Sequence, residues 1–271
     1  MNASPALASY TVEAYNLSHA SENKIHDDTI AQKLGFTGGL VPGVEVYAYA
    51  THLALGRWGR AWLEGGAMDC RFQKPVYDGA FATVTGIDEG ATIALKVESQ
   101  GEACASGRAS LPREVGPAPA LAELPIRTPP AMADRPPATP RSLAPGTRLG
   151  IAPFVLTEAL WRAYLGDVRE QHPIYSAERL AHPGQLLRLC NSVLRENVVL
   201  PPWIHTGSKV QNYATAGVGD ELSARASVLD NYERKGHRLV DVDVVLIAND
   251  RKVLARVLHT AIYQLRHLGS G

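Results

Sequence analysis

Residues 44–55, VEVYAYATHLAL, have the length of a helix and are apolar nearly all round. A helix with no polar face must be buried inside other structure. Past Met68 the pattern changes to short β-rich runs at 70–74, 81–87, 92–98 and 103–111, with turns at 88–90 and Gly101. The second half repeats this plan. HPG at 182–184 precedes residues 185–196, where Leu186, Leu187, Leu189, Cys190, Val193 and Leu194 have helical spacing, and strands are expected at 205–213, 222–232, 237–248 and 253–265. Val240, Val242 and Val244 alternate with Asp241 and Asp243, so that strand has one wet face. Gly79 maps to Gly219, Gly43 to Gly184 and Ile25 to Ile174, a repeat reconciled by one insertion. The prediction is an α+β chain in which two antiparallel sheets each wrap a long central helix and pair side by side.

Ten of the 18 prolines fall between Pro112 and Pro145. Proline fixes its own φ and has no amide donor, so this stretch reads as an extended linker, with a proline-rich surface loop as the alternative. The expected organisation is residues 1–111, a linker at 112–148, and residues 149–271. Twenty-seven basic and 27 acidic side chains cancel, leaving no electrostatic footprint for nucleic acid. Three widely spaced cysteines offer neither a disulfide framework nor a metal-binding pair, and no run is apolar enough for a leader or a span. A soluble cytoplasmic protein is expected.

Three segments of the first half carry a family resemblance: SENKIHDD at 21–28, GFTGGLVPG at 35–43 and RFQKPVYDG at 71–79. In that order they resemble the MaoC-like hotdog-fold acyl-thioester hydratases and dehydratases, of the (R)-specific enoyl-CoA hydratase type. In the second half YLGD, HPIY and HPG look like a degenerate copy. The resemblance implies a double hotdog over nearly the whole chain, an acyl thioester of CoA or an acyl carrier as substrate, and no metal or redox cofactor.

Hydrating a 2-enoyl thioester takes a base for water, an acid for C2 and donors that polarise the carbonyl. The resemblance implies an Asp and a His five residues apart. His26 stands at the histidine position, but Ser21 stands at the aspartate position, so the dyad is incomplete. Glu22, Asp27, Asp28 or, across the pseudo-two-fold, Asp167 are the carboxylates within reach of the argument; His26 also reads as a solvated residue near a helix N-terminus. Gly43 and Gly184 offer backbone amides at helix starts, or merely permit close packing. The expected catalytic residues are His26, Gly43 and Asp167, and the expected substrate-binding residues are Ser21, Asn23, Tyr47, Tyr175, His182, Gly184 and Arg71. Arg57, Arg60, Arg71 and Lys74 are candidates for a basic mouth, and His205 reads as a structural histidine at a strand entrance. The reaction expected is that of a hydro-lyase acting at the β-carbon; a thioesterase using Glu22 or Glu45, and a non-catalytic acyl-thioester-binding subunit, are the alternatives. No nucleic-acid or membrane partner is expected, and pairing into a homodimer is open.

Overall fold

The computed structural model describes residues 5–19 and 21–266. The outer ends of the two expected halves, 1–4 and 267–271, lie outside the described residues. The first half runs β1 (Tyr10–Glu13), α1 (Asp28–Lys33), α2 (Gly43–Trp58), α3 (Arg60–Gly65), β2 (Ala67–Phe72), β3 (Phe81–Asp88), β4 (Thr92–Ser99) and β5 (Glu102–Ser110). The second runs β6 (Arg148–Gly150), β7 (Phe154–Val155), α4 (Glu158–Asp167), α5 (Pro173–Glu178), α6 (Pro183–Arg195), β8 (Ile204–Asn212), β9 (Glu221–Arg234), β10 (His237–Ala248) and β11 (Lys252–Gln264). The long apolar segment is indeed buried: from Val44 through Leu55 every residue of α2 except His52 is buried.

The two copies pair side by side as expected, merging into one continuous antiparallel sheet ordered β1-β3-β4-β5-β2-β8-β11-β10-β9-β6, with β7 also paired to β9. The halves join through β2 and β8, in register from Ala67 opposite Gln211 to Arg71 opposite Gly207. The strands on both sides of β2 carry glycine where they face it. A Cβ on Gly207 would stand 2.9 Å from the Cys70 carbonyl oxygen, and one on Gly107 would collide with that of Asp69. The central helices also meet, because Gly184 admits α2 so closely that its Cβ would stand 2.5 Å from that of Ala48.

Hydrogen bonds make the internal repeat explicit. Val41 N donates to Val76 O at 2.8 Å and Ala181 N to Ala216 O at 2.9 Å; Gly79 and Gly219, with φ of 71° and 98°, donate to Ala14 O and Leu156 O. All these pairs share an offset of 140 residues except Ala14 and Leu156. At that offset Gly43, which opens α2, corresponds to Pro183, which opens α6, and the sequence-based match of Gly43 to Gly184 is one residue out of register.

Residues 24–33 form two short helices rather than one. A 3-10 turn at Lys24–His26, capped by the Asn23 side chain, is followed by α1, which Asp27 caps by accepting from Ile30 N. In the second half the His172 side chain caps α5 in the same way, accepting from Ile174 N. Between the halves, the proline-rich segment has only two 3-10 turns and lies along the second half. The Arg225 guanidinium donates to Leu121 O and Leu124 O, and Pro137 bridges to Val199. Among the described residues no helix is long and apolar enough to cross a membrane.

Candidate active site

A cavity of about 120 Å³ opens where the 3-10 turn, the start of α2, β2, α6 and β8 converge. Its polar lining comes from both halves: Asn23, His26 and Gly43 from one, Asn191 and His205 from the other, with Lys74 beside them. Phe36, Val46, Phe72 and Trp203 are among the apolar walls. Among the described residues its lining contains no carboxylate.

His26 is held in one tautomer. Its Nδ1 lies 2.6 Å from Leu40 O, and a carbonyl only accepts, so Nδ1 carries the hydrogen and Nε2 is left as an acceptor. Asn23 Nδ2 makes a long contact of 3.3 Å to that Nε2. Burial lowers the His26 pKa to about 4, with the Arg188 guanidinium adding to the effect, so the ring is neutral at pH 7. Asn23 also ties the turn to the other half, accepting from Trp203 N at 3.2 Å and donating to Trp203 O at 3.0 Å.

Gly43 begins α2 after Pro42, and no side chain caps this helix start. Gly43 lines the cavity at the positive end of a 16-residue helix, and its amide has no side-chain cap there. His205 and Phe72 crowd the same spot: a Cβ on Gly43 would stand 2.9 Å from His205 Nδ1 and 3.0 Å from the Phe72 ring. A glycine is required there by contact, which serves both readings of this residue.

The second half is built differently. Glu170 lies five residues before Tyr175, the spacing of Ser21 and His26, and its carboxylate is almost completely buried. It accepts from His172 N at 2.7 Å, pairs with His52 Nδ1 at 3.1 Å and approaches His182 Nε2 at 3.7 Å. These donors hold its pKa far below the ordinary carboxylate value despite the opposing cost of burial. Rings of Tyr175 and Tyr164 flank His182, with centroids 4.9 and 5.6 Å away. Gly184 N, expected as a second carbonyl donor, donates instead to His182 Nδ1 at 3.0 Å. The position equivalent to Gly43 is Pro183, which has no amide hydrogen to offer.

The residues singled out from sequence thus divide. His26, Gly43 and Asn23 share the cavity. Asp167, the last residue of α4, lies near the Arg188–Glu45 ion pair and does not line the cavity. Ser21 donates to Asn23 O at 3.3 Å, outside the cavity lining. Tyr47 is buried on α2 against a separate cavity of about 20 Å³. Tyr175, His182 and Gly184 belong to the filled cluster around Glu170 and α6, and Arg71 lies on the sheet face with Gly207, Lys209 and Thr260. Of the cations proposed for a mouth, Lys74 alone lines the cavity, while Arg57 pairs with Asp88 and Arg60 with Glu64 and Glu178. His205 and Glu170 were not expected in these roles. The five-residue spacing to Tyr175 marked Glu170; for His205, brought in across the β2–β8 seam, no local pattern did.

Comparison with known proteins bears on this frame. No family model matches the chain, and no curated protein matches its sequence. Among solved structures it is similar to a protein named as a MaoC domain dehydratase from Chloroflexus aurantiacus J-10-fl, with 11% identity, TM-score 0.66 and coverage of 98% of this chain and 96% of that one. A double-hotdog protein of Mycobacterium tuberculosis gives 12% identity and TM-score 0.62, covering 97% and 96%. A protein named as an oleoyl thioesterase from Lactobacillus plantarum gives 9% identity and TM-score 0.55, covering 96% of each chain. The chain has the double hotdog fold.

Proposed function

We propose that this chain adds water to, or removes it from, the β-carbon of an acyl thioester, using the cavity at the start of α2. The observation that carries this reading is His26, neutral and locked with Nε2 as acceptor, in a cavity whose wall includes the uncapped start of α2. In the hydration direction His26 Nε2 takes a proton from water as the water oxygen bonds to C3. The double-bond electrons move toward the thioester oxygen, where the Gly43 N–H stabilises the enolate. The imidazolium then returns the proton to C2, so one group serves as base and acid and the dyad aspartate is dispensed with. Lys74 lines the cavity and, on giving up its exposed partner Glu102 at 2.5 Å, provides a cation for a phosphate of the carrier.

The carboxylates that thioester hydrolysis would call on are committed elsewhere. Glu45 is fully buried and bonded to Arg188, and Glu22 is exposed beside Arg135. The dehydratase and thioesterase names among similar folds fit either chemistry, and the cavity's composition favours the first.

The test is crotonyl-CoA and a longer enoyl-CoA with the purified protein, following enoyl absorbance and free thiol together. Loss of absorbance without thiol is expected, falling at least about 100-fold in His26→Ala. Thiol release would move the assignment to a thioesterase, and silence with both substrates would count against turnover of this class.

A further inference from the structure

Behind the cavity three side chains form a buried hydrogen-bonded row. His205 Nε2 lies 2.8 Å from Ser208 Oγ, which lies 3.0 Å from His259 Nδ1. The two imidazoles stack with centroids 4.2 Å apart, and the Phe72 ring stands 4.7 Å from His205, so that ring is clamped between two others. At the cavity end His205 Nδ1 is buried without a partner, and at the far end His259 Nε2 is buried without one. Cavity-lining His205 is therefore positioned by a relay whose two end residues differ: both end nitrogens are buried, but His205 borders the cavity and His259 borders none.

We propose that His205 Nδ1–H is a second hydrogen-bond donor to the substrate carbonyl beside the Gly43 amide, with Ser208 and His259 as positioning residues that set its tautomer. The proposal rests on the reading that this cavity takes an acyl thioester.

Hydrogen counting leads to that tautomer. Both rings are neutral, because burial lowers the pKa of His259 to about 3 and that of His205 well below its ordinary value. Each neutral imidazole carries one N–H and the hydroxyl one O–H, so the row has two arrangements. In one, His205 donates to Ser208, Ser208 donates to His259, and the spare N–H is left on His259 Nε2 in the sealed interior. In the other, His259 donates to Ser208, Ser208 donates to His205 Nε2, and the spare N–H stands on His205 Nδ1. A buried donor without an acceptor costs about 1–3 kcal/mol. His205 borders the cavity, where an entering substrate oxygen can supply the acceptor, whereas His259 borders none, so the second arrangement is favoured. A neutral imidazole is a suitable electrophile, since it polarises a carbonyl without giving up its proton. Nothing is transferred; the proton stays on His205 as charge builds on the thioester oxygen. The pairing also explains why Gly43 is crowded by this ring: the two donors are neighbours.

The experiment compares wild type with His205→Leu, His205→Gln and Ser208→Ala, reading kcat and KM with crotonyl-CoA. Alongside it, calorimetry measures binding of butyryl-CoA and of S-butyl-CoA, the thioether without a carbonyl oxygen. His205→Leu is expected to lower kcat about 100-fold and to weaken the thioester but not the thioether. His205→Gln, whose amide can donate, is expected to recover part of the loss, and Ser208→Ala to lower kcat about tenfold with KM little changed. Far-UV circular dichroism identifies a variant that fails to fold, and Ser208→Ala then decides. If the His205 variants keep kcat within about threefold while His26→Ala is inactive, the proposal is overturned and the functional reading stands. If wild type turns nothing over, the binding comparison still decides: an equal loss of thioester and thioether affinity in His205→Leu overturns the donor role.

Discussion

At the residue scale, His26 is asked to be a base while its surroundings weaken it as one. A histidine in water titrates near 6.5, but burial brings this one to about 4. Protonation removes the lone pair on Nε2, so the acid limb of kcat/KM should follow the folded-state value. Activity is expected to be flat from pH 8 to about 5 and to fall below that, reaching half its plateau near pH 4. A profile that breaks near 6.5 would mean that His26 is solvated during turnover or is not the base. The cost is intrinsic basicity, and the Leu40 carbonyl partly restores it by favouring the protonated ring. His26, Asn23 and Gly43 were legible in sequence because they fall in short local segments with fixed spacing. Asn191, Trp203 and His205 were not, because they come from the other half, Asn191 from α6 and the other two from around the start of β8, through a packing of the two halves that no local pattern encodes.

At the scale of elements, the two copies use the same scaffold to opposite ends. Asn23 and His172 cap equivalent short helices, yet the first copy leaves its central-helix start open while the second closes it with His182 and begins it with proline. The strands were readable from period two, α2 from its apolar length and α6 from the helical spacing of its leucines. Helix α4 escaped because its apolar residues do not all face inward: Trp161 and Tyr164 are buried while Leu160 is exposed. Glu170 was overlooked in favour of Asp167, although the Ile25-to-Ile174 offset places Glu170 opposite Ser21. Its carboxylate organises α2, α5 and α6 through His52, the His172 amide and His182. Glu170→Gln is expected to lower stability by about 2 kcal/mol, read from urea unfolding at pH 7. The pH dependence has a definite sign. Glu170 has its pKa lowered by folding, so its contribution is present above the unfolded value near 4.5 and is lost as pH falls below it. His26, His182, His205 and His259 are likewise lowered, and their contribution fades as pH falls below 6.5. Wild-type stability should therefore decline from pH 7 toward 4, with a shallower decline in the variant below about 4.5. An unchanged urea midpoint in Glu170→Gln would show that the cluster is held by packing alone.

For the whole molecule, the question is whether two fused copies behave as two folding units or one. The proline-rich stretch invites the first answer, since linkers of that composition commonly separate independent bodies. The sheet argues for the second: it runs without a break through β2 and β8, α2 packs on α6 at Gly184, and Asn23 bonds both backbone groups of Trp203. A cavity lined from both halves exists only while that seam is closed. Cooperative unfolding follows, because opening either half would strip hydrogen bonds and apolar contacts from the other. Gly207→Val tests this at the seam itself. A Cβ there must push against the Cys70 carbonyl, on the strand that joins the halves, and backbone cannot yield as a flexible side chain would. The variant is expected to lose about 2 kcal/mol or more, to keep a single urea transition seen alike by far-UV circular dichroism and tryptophan fluorescence, and to lose turnover in step with folded fraction. Two resolved transitions in wild type, one for each half, would make the seam a docking contact between separate bodies.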